Sequence, residues 1–491
     1  MGVIAGSTLL ECPAMSTDTV KTRFAPSPTG ALHLGNLRTA LFNALLAYRH
    51  RGRFVLRIED TDRERYRPEA AEALQRDMRW LGLDWDEGPD IGGPGAPYHQ
   101  HDRSALYAGY FHQLESQGDA YPCFCSEREL EMARKAQRSA GQPPRYPGTC
   151  ARLSAEEAAR KRAEGLQPAL RFRVPAGREV RFTDHIHGEQ RFRTDDIGDF
   201  IIRRADGTAA YLFTNALDDA LMGITDVLRG DDHLTNTPRQ MLILQALELE
   251  APRYGHMGLI IGDDGAPLSK RNGSRSVADL EQAGFLPEAL LNYLARIGHS
   301  YEDERLLDLA ALASAFEPQR ISSAPSRFDF DHLRHWQDEA VLAASAQRLR
   351  VWMGIDALVP PGYADDLVNA VRANVRYPEE GRDWARRVFG PEPDLDAQAR
   401  QAIESAGADF FTLAAQAAEE GYTRFRGLVE VVKARTGAKG KGLFMPLRAA
   451  LTGRCHGPEL QPVVDLMGGE RVIARLRRAS RVAAGTNGQE E

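Results

Sequence analysis

The stretch from Arg23 to Asn36, which reads RFAPSPTGALHLGN, constrains the fold of this chain more than any other. Just before and within it, Thr22 and Phe24 alternate with polar neighbours, which predicts a short strand. Two prolines and a glycine then interrupt the pattern and predict a tight loop. A helix should follow, because apolar residues recur at helical spacing at Leu37, Leu41, Ala44, Leu45 and Tyr48. The first ordered elements are therefore predicted to be a strand, a loop and a helix.

The loop ends where this helix begins, and its residues suit a bound phosphate group. We expect Asn36 to cap the helix, with His33 and Gly35 beside its N-terminus. A helix N-terminus offers unpaired N–H groups and the positive end of the helix dipole, and both favour phosphate. Gly35 lets a ligand approach the backbone, and His33 can donate a hydrogen bond to a phosphate oxygen. Taken alone, the same residues fit a plain loop cap and turn equally well.

A second strand and helix follow, and the four elements together predict a parallel sheet. Residues 54–58 read as a buried strand that leads to Glu59, and Pro68 suits the first residue of the next helix. This order favours a parallel α/β sheet whose ligand site lies at the carboxyl ends of its strands. Arg23, Ser27 and Glu59 all fall at such ends. For the acidic run after residue 58, a solvated loop with helix-capping carboxylates is the alternative.

Length and composition indicate a globular chain of several domains. The 491 residues correspond to roughly three or four domains, and a hydrophobic content of 43% is ordinary for a soluble protein. We expect no membrane span, because no run of about 18 apolar residues occurs, and no signal peptide, because the first residues lack a basic segment. Five cysteines in so long a chain do not form a disulfide framework, which favours the reducing cytoplasm. The net charge of −7 leaves room for a nucleic-acid partner, since a local basic face is enough.

Residues 101–205 differ in character from the residues on either side and predict an α+β insertion within the sheet domain. Helical segments are expected at 103–118, 127–139 and 154–164, followed by antiparallel strands at 170–174 and 179–182.

The insertion also contains a candidate zinc site. Cys123 and Cys125 are two close thiols and Cys150 is a distant third, whereas a structural zinc ion takes four ligands. Tyr146 or a water molecule would complete the set. Three free thiols without a metal are the alternative.

The α/β character returns after residue 205. A short strand at 226–228 precedes Arg229, and Asp264-Gly265 predicts a tight hairpin turn. Lys270 and Arg271 follow that turn and are flanked by serine and glycine, which predicts a mobile phosphate clamp. A solvated basic turn is the alternative if this loop is considered alone.

Several motifs, taken together and in order, identify a family. HLGN after the first strand and LSKR after the last resemble the paired motifs of class I aminoacyl-tRNA synthetases. The surrounding RFAPSPTG, RIEDTDR and DDALMGITDVLRGDDHLTNTPRQ resemble bacterial glutamyl-tRNA synthetases over residues 20–340, and KGLFMPLRAALTG does so at 441–453. The resemblance implies an α/β Rossmann-type catalytic domain with an α+β insertion, followed by an all-α C-terminal anticodon-binding domain.

The resemblance implies a function as well. Such enzymes use ATP with Mg²⁺ to activate L-glutamate as glutamyl adenylate, and then transfer the glutamyl group to the terminal adenosine of tRNA(Glu). Magnesium accompanies the triphosphate because it prefers phosphate and carboxylate oxygens. The sequence leaves open whether tRNA(Gln) is also charged. A cytoplasmic monomer without a membrane partner is expected.

Matching the family motifs residue by residue implies the roles of individual side chains. The catalytic residues would be His33 and Lys270. The ATP-binding residues would be His33, Gly35, Asn36, Ser269, Lys270 and Arg271. The glutamate-binding residues would be Arg23, Ala25, Ser27, Glu59, Tyr211, Asn215 and Arg229. The arginines would hold carboxylate groups through their forked N–H donors, and Glu59 would meet the substrate ammonium. The zinc ligands would be Cys123, Cys125, Tyr146 and Cys150.

The resemblance also divides the chain. We expect tails at 1–17 and 487–491, the catalytic domain at 18–100 and 206–265, the connective insertion that binds the tRNA acceptor end at 101–205, a stem-contact region at 266–340 and the anticodon-binding domain at 341–486. Basic side chains in the last domain would face tRNA phosphates, namely Lys433, Arg435, Lys439, Lys441 and Arg448.

Two departures from the family pattern bear on these expectations. Pro267 replaces the usual first lysine of the mobile motif, which removes a cation and stiffens the loop. Arg152 replaces a histidine that ligates zinc in some relatives. Three other functions remain possible from the sequence. They are a shortened paralogue that glutamylates a modified tRNA base, a small-molecule nucleotidyltransferase and a catalytically silent tRNA-binding protein. The long helical C-terminus argues against the first two, and the intact motif residues argue against the third.

Overall fold

The computed structural model describes residues 9–10, 19–28, 30–62, 66–268 and 275–485. The chain divides into two compact units. The first comprises residues 1–280 and 291–329, and the second comprises residues 281–290 and 330–491.

The first unit contains the strands. They are β1 (Leu9–Leu10), β2 (Lys21–Phe24), β3 (Arg53–Leu56), β4 (Ala120–Cys123), β5 (Ala169–Phe172), β6 (Glu179–Asp184), β7 (Gly188–Arg193), β8 (Phe200–Arg203), β9 (Asp226–Gly230), β10 (Arg253–Met257), β11 (Ile260–Ile261) and β12 (Ser326–Arg327).

The helices up to residue 315 are α1 (Leu34–Arg49), α2 (Pro68–Trp80), α3 (Ser104–Gln117), α4 (Glu127–Ser139), α5 (Ala155–Ala163), α6 (Thr194–Ile197), α7 (Tyr211–Leu221), α8 (Thr237–Ala246), α9 (Val277–Gln282), α10 (Pro287–Arg296) and α11 (Leu309–Ala315). Those that follow are α12 (Phe330–Ala343), α13 (Ala346–Met353), α14 (Ala364–Val371), α15 (Pro378–Phe389), α16 (Ala397–Ala406), α17 (Ala408–Glu419), α18 (Phe425–Thr436), α19 (Lys441–Thr452), α20 (Leu460–Met467) and α21 (Gly469–Ala483).

Two parallel strand pairs form the centre of the first unit. β2 pairs with β3 and β9 pairs with β10, both in parallel. The two pairs meet where the backbone N–H of Thr225 donates to the carbonyl of Lys21 at 2.8 Å. Parallel neighbours need long crossover connections, and α1 and α8 supply them. The predicted Rossmann-type α/β fold is therefore confirmed.

The buried side chain of Asn43, on α1, separates β2 from β9 on the carboxyl side of this junction. Its amide donates to the carbonyl of Leu228 at 2.8 Å, and its oxygen accepts the N–H of the same residue at 3.1 Å. A side chain thus replaces a neighbouring strand as the hydrogen-bond partner of β9. The sheet consequently opens toward the carboxyl ends of its strands.

The chain between β4 and β8 forms two further antiparallel arrangements, as an α+β insertion predicts. β5 pairs with β4 and β8, whereas β6 pairs with β7 and in parallel with the short β1. The two strands expected near 170–174 and 179–182 therefore both exist, but they lie in different sheets. The last residues of β6 lie next to β10, where Asp184 accepts the backbone N–H of His256.

The second unit contains helices joined by loops, and no strand occurs among its described residues. Its core is rich in alanine and leucine, with Phe411, Leu428, Leu447 and Leu476 fully buried. Small alanine side chains let helices approach closely, so the apolar stripes expected at 341–486 form this core. At its centre lies the buried Arg475, whose guanidinium donates to the carbonyls of Arg387, Leu451 and Gly390. Within the described ranges, no helix has the length and apolarity needed to cross a membrane.

Candidate active site

A cavity of about 400 Å³ opens at the carboxyl ends of β2 and β9, where the sheet divides. It brings together side chains that are distant in sequence. Ten residues that the motifs point to line it, namely Arg23, Ala25, Ser27, His33, Gly35, Asn36, Glu59, Tyr211, Asn215 and Arg229. Ser269, Lys270 and Arg271 lie outside the described residues, but Pro267 and Leu268, directly before them, also line the cavity.

The N-terminus of α1 forms one wall of this cavity. The helix begins at Leu34 with His33 as its cap residue, two residues earlier than the expected cap at Asn36. The expectation of an Asn36 cap was wrong because His33 pairs with Ser276 in an antiparallel bridge, which fixes the loop there. Asn36 therefore lies in the first helical turn, where backbone N–H groups have no partner within the helix.

A chain of buried polar groups runs beneath the cavity. Arg23 donates to both carboxylate oxygens of Asp219 at 3.2 and 3.3 Å, and Arg57 contacts the same carboxylate at 2.7 Å. Arg57 also donates to Glu59 Oε1 at 3.1 Å, and Asn215 donates to the same atom at 2.7 Å. Asp219 and Arg57 are almost wholly buried, so the network holds Arg23 and Glu59 in fixed positions.

The charges in this network act on one another strongly. Burial acts to raise the pKa of Asp219, but Arg23 and Arg57 hold it below its usual value, so the group is ionised at neutral pH. Burial raises the pKa of Glu59, although Arg57, Asn215 and Arg23 oppose the effect. A cationic ligand group beside Glu59 would favour its ionised form, since an opposite charge nearby lowers a carboxyl pKa.

The polar chain continues to Arg229, the last side chain of β9 before Gly230. Gln240 donates to Asn215 at 2.7 Å and accepts from Arg229 Nη2 at the same distance. Arg229 Nη2 also donates to Thr237 at 2.7 Å, and Nε donates to His256 at 3.1 Å. Within the described part of the chain, Nη1 of Arg229 is buried and has no hydrogen-bond partner.

The free donor of Arg229 is available to a ligand in the cavity. A buried charged donor without a partner is costly, roughly 1–3 kcal/mol or more. Arg23, Arg38 and Arg229 are the arginines that line the cavity, and Glu59 and Asp232 are its carboxylates among the described residues. The cavity therefore has an excess of positive charge and suits an anionic ligand.

The sequence reasoning missed several lining residues, among them Arg38, Asp232 and His233. His233 lies 3.3 Å from the Tyr211 hydroxyl through Nδ1, and Asp232 lies beside it. Burial lowers the pKa of His233, so it is neutral at physiological pH. The position of Asp232 and His233 directly after a predicted strand, at its carboxyl end, was the signal that could have identified them.

The four candidate zinc ligands also come together, away from this cavity. The sulfur atoms of Cys125 and Cys150 are 3.6 Å apart, and the Tyr146 hydroxyl lies 3.5 Å from both Cys123 and Cys125. A disulfide requires about 2.05 Å, so these thiols are free. Burial acts to raise the pKa of Cys123, but hydrogen bonds with Tyr146 and Arg171 lower it, which favours the thiolate that binds metals.

The basic residues expected to face tRNA lie around the end of α18 and the start of α19. Lys433, Lys439 and Lys441 are exposed. Arg435 is exposed too but is paired with Glu420 at 2.5 Å, and Arg448 donates to the Pro458 carbonyl at 2.7 Å. Their role toward tRNA stays a prediction.

Comparisons with known proteins match both units. The model of the family described as "tRNA synthetases class I (E and Q), catalytic domain" matches residues 19–335, and the one described as "Anticodon binding domain" matches residues 346–480.

Relatives match almost the entire chain. Glutamate–tRNA ligase 1 of Halorhodospira halophila is 78% identical over 97% of this chain and 100% of its own length. Glutamate–tRNA ligase 2 of Alkalilimnicola ehrlichii is 57% identical over 96% of this chain and 100% of its own. A crystal structure of a glutamate tRNA ligase from Elizabethkingia meningosepticum in complex with its amino acid superimposes with a TM-score of 0.86. It is 26% identical and covers 94% of this chain and 99% of that one.

The fold, the cavity and these matches define a class I aminoacyl-tRNA synthetase with a helical anticodon-binding domain. Within that class, the chain belongs to the family of bacterial glutamate–tRNA ligases.

Proposed function

We propose that the cavity at the ends of β2 and β9 carries out both steps of glutamate–tRNA ligation. In the first step, the α-carboxylate of L-glutamate attacks the α-phosphorus of ATP, giving glutamyl adenylate and pyrophosphate. In the second, the terminal adenosine of tRNA(Glu) takes the glutamyl group and AMP leaves. The main support for this proposal is Arg229 Nη1, which has no hydrogen-bond partner among the described residues and is buried in the wall of a cavity with an excess of positive charge.

Glutamate recognition follows from the fixed polar chain. Arg229 Nη1 supplies two N–H donors to the side-chain carboxylate of glutamate, and Arg23 lines the same cavity as a second arginine for a substrate carboxylate. Glu59 is held through Oε1 by Arg57 and Asn215, and so meets the substrate ammonium. Ala25, Ser27 and Tyr211 complete the walls.

The same donor accounts for rejection of glutamine. An amide group would turn either one oxygen or its N–H donors toward Arg229. If the amide N–H groups face Arg229, a hydrogen-bond donor meets a donor. In either orientation, the buried guanidinium of Arg229 lacks a negatively charged partner. Sites built around such a buried polar group discriminate strongly against a ligand that leaves it unpaired.

The phosphate side of the cavity is the N-terminus of α1. His33, Gly35 and Asn36 line the cavity there, and the free backbone N–H groups favour the triphosphate of ATP with its Mg²⁺. In our proposal Lys270, supported by Ser269 and Arg271, reaches the phosphates from the loop after Leu268. Chemistry of this kind needs positioning and charge stabilisation, and no protein nucleophile.

Parts of the tRNA other than its terminal adenosine are bound by the second unit. The second unit reads the anticodon, and exposed lysines near α18 and α19 contact phosphates, among them Lys433, Lys439 and Lys441. The match of residues 346–480 to an anticodon-binding domain supports this division.

We further propose that the thiol cluster binds one zinc ion. Four soft or polar ligands converge within distances that tetrahedral zinc–thiolate geometry allows, since two sulfurs 2.3 Å from a zinc ion lie about 3.8 Å apart. Zinc there would brace the insertion structurally. Metal analysis of the purified chain should find about one zinc per molecule, lost in Cys125→Ser and retained in Cys455→Ser. A chain isolated without chelators and free of zinc would contradict the proposal.

The decisive experiment is charging of separately purified tRNA(Glu) and tRNA(Gln) with labelled glutamate.

Arg229→Ala should raise the KM for glutamate by at least about tenfold, because the ligand carboxylate loses a charged donor, and should leave the KM for ATP nearly unchanged. Arg239→Ala is the matched control, since Arg239 lies on α8 and donates to the Thr235 carbonyl outside the cavity. Equal losses for both substrates in Arg229→Ala would contradict the assignment.

A further inference from the structure

The orientation of Arg229 depends on a buried histidine that no substrate reaches. His256, on β10, is fully buried, and its Nε2 accepts a hydrogen bond from Arg229 Nε at 3.1 Å. The Thr237 hydroxyl lies 3.0 Å from the same nitrogen and itself accepts from Arg229 Nη2. The contact with Arg229 requires Nε2 to carry a lone pair and no proton, because the guanidinium nitrogen can only donate.

Asp184 fixes the protonation of that histidine. Its Oδ2 lies 2.6 Å from His256 Nδ1, and its Oδ1 accepts the backbone N–H groups of Ile186, His187 and His256 at 2.9, 3.0 and 3.2 Å. Burial acts to raise the pKa of Asp184, but the bonds from His256 and the backbone lower it to about 2. The carboxylate is thus ionised and holds the imidazole proton on Nδ1.

We propose that Asp184 and His256 are positioning residues for glutamate recognition, because their hydrogen bond leaves His256 Nε2 free to orient Arg229. With Nε and Nη2 engaged, only Nη1 remains for the substrate carboxylate. The inference rests on the proposed role of Arg229 and extends it to a residue on β6, about 45 positions away in sequence.

Asp184→Asn separates this role from simple structural support. The Asn oxygen would take the Oδ1 position, since three backbone N–H groups donate there, so the amide NH₂ would face His256 Nδ1. The imidazole would then have to accept at Nδ1 and carry its proton on Nε2. That proton would oppose the N–H of Arg229 Nε, so a near-isosteric change would turn an attractive contact into a repulsive one. Changing the tautomer of a buried histidine through its carboxylate partner is a known route to large functional losses.

Steady-state aminoacylation of tRNA(Glu) by the full chain tests the proposal. Asp184→Asn should raise the KM for glutamate by roughly 10- to 100-fold and leave the KM for ATP within about twofold of wild type. Asp226→Asn is the matched control, because Asp226 is equally buried and pairs with His185 at 3.0 Å without touching Arg229. A glutamate KM within twofold of wild type in Asp184→Asn, or equal rises for glutamate and ATP, would overturn the proposal.

A second pair of variants decides the matter if Asp184→Asn does not fold. His256→Gln can place an oxygen near the Nε2 position and still accept from Arg229, whereas His256→Leu cannot. The glutamine variant should therefore keep a lower KM for glutamate than the leucine variant, and identical values would overturn the proposal. Wild-type protein without glutamate-dependent charging would instead remove the proposed function itself, and with it this inference.

Discussion

At the scale of single residues, the site is defined by how its buried charges are paired. Asp219 lies between Arg23 and Arg57 with about 1% of its surface exposed. Two arginines so deep in a protein are tolerated because this carboxylate and Glu59 neutralise them. Among the described residues, the cavity-lining arginines with a buried donor that lacks a partner are Arg229, through Nη1, and Arg38, through Nε. In our proposal, the specificity of the site depends on the Arg229 donor that remains without a partner.

Removing the shared carboxylate tests this pairing. Asp219→Asn should lower the free energy of unfolding by about 3–5 kcal/mol, because two buried guanidinium groups lose their ionised partner. Denaturant unfolding monitored by circular dichroism would measure the loss. Asp196→Asn, which breaks an exposed pair with Arg145, should change it by less than about 0.5 kcal/mol. Equal effects of the two changes would contradict the account.

The buried His299 predicts how stability depends on pH. Burial lowers its pKa to about 4, whereas an imidazole in the unfolded chain titrates near 6.5. As the pH falls below about 6.5, the unfolded chain therefore takes up a proton that the folded chain does not, and stability decreases. Between pH 7 and 5 this residue should cost about 2 kcal/mol. His299→Gln should lose that part of the pH dependence. Unfolding curves at pH 7 and pH 5 should therefore show a larger decrease in the free energy of unfolding for the wild type than for the variant. Equal decreases in the two proteins would contradict this prediction.

At the scale of elements, the opening between β2 and β9 depends on one side chain of α1. Asn43 satisfies both backbone groups of Leu228 and is fully buried. The Thr22 hydroxyl also donates to the carbonyl of Asn43 at 2.7 Å, so the helix is tied to both strands. The Asn43 side chain therefore bonds β9 at Leu228, close to the strand end that lines the cavity.

Replacing that side chain should affect the strand it supports. Asn43→Leu keeps the branching and number of side-chain heavy atoms but leaves the N–H and C=O of Leu228 without partners, at about 1–3 kcal/mol each. Hydrogen exchange should accelerate in β9 more than in β3. Asn369→Leu on α14, which loses an exposed bond to Arg372, should leave both strands protected. Unchanged exchange in β9 would show that Asn43 does not support it.

Many elements were predictable from the sequence, and the exceptions have physical causes. The strands at Lys21–Phe24 and Asp226–Gly230, the helix from Pro68 and the hairpin at Asp264-Gly265 follow from local periodicity and turn residues. The start of α1 was misplaced because a distant bridge to Ser276 decides it. The structure brings together the lining residues that the motifs suggested. The ion pairs could not be predicted, because Arg23 with Asp219 and His256 with Asp184 join residues that are distant in sequence and share no local pattern.

At the scale of the whole molecule, each unit has a core and a buried polar centre of its own. In the second unit that centre is Arg475, whose guanidinium binds three carbonyls near the ends of α15 and α19. Carbonyls at helix C-termini lack partners within the helix and carry partial negative charge, which compensates the buried cation. Burial still lowers the pKa of this arginine to about 10.

The separate cores predict separate responses to mutation. Arg475→Met should reduce hydrogen-exchange protection in α15, α19 and α21, because the three carbonyls lose their donor. The strands β2 and β9 should keep their protection. Arg477→Met, which removes an exposed pair with Glu419, is the control and should change neither region. Loss of protection in β2 after Arg475→Met would contradict the independence of the two cores.

The contact of β6 with His256 beneath the cavity has a consequence for how such enzymes could be assembled from modules. Asp184 belongs to the segment between the two halves of the parallel sheet, yet it contacts His256, which bonds Arg229 of the proposed amino-acid site. A minimal activating enzyme made by excising residues 101–205 would therefore lose part of its selectivity together with the insertion. An ancestor without the insertion would have needed another anion under His256, or would have tolerated a less discriminating choice of amino acid.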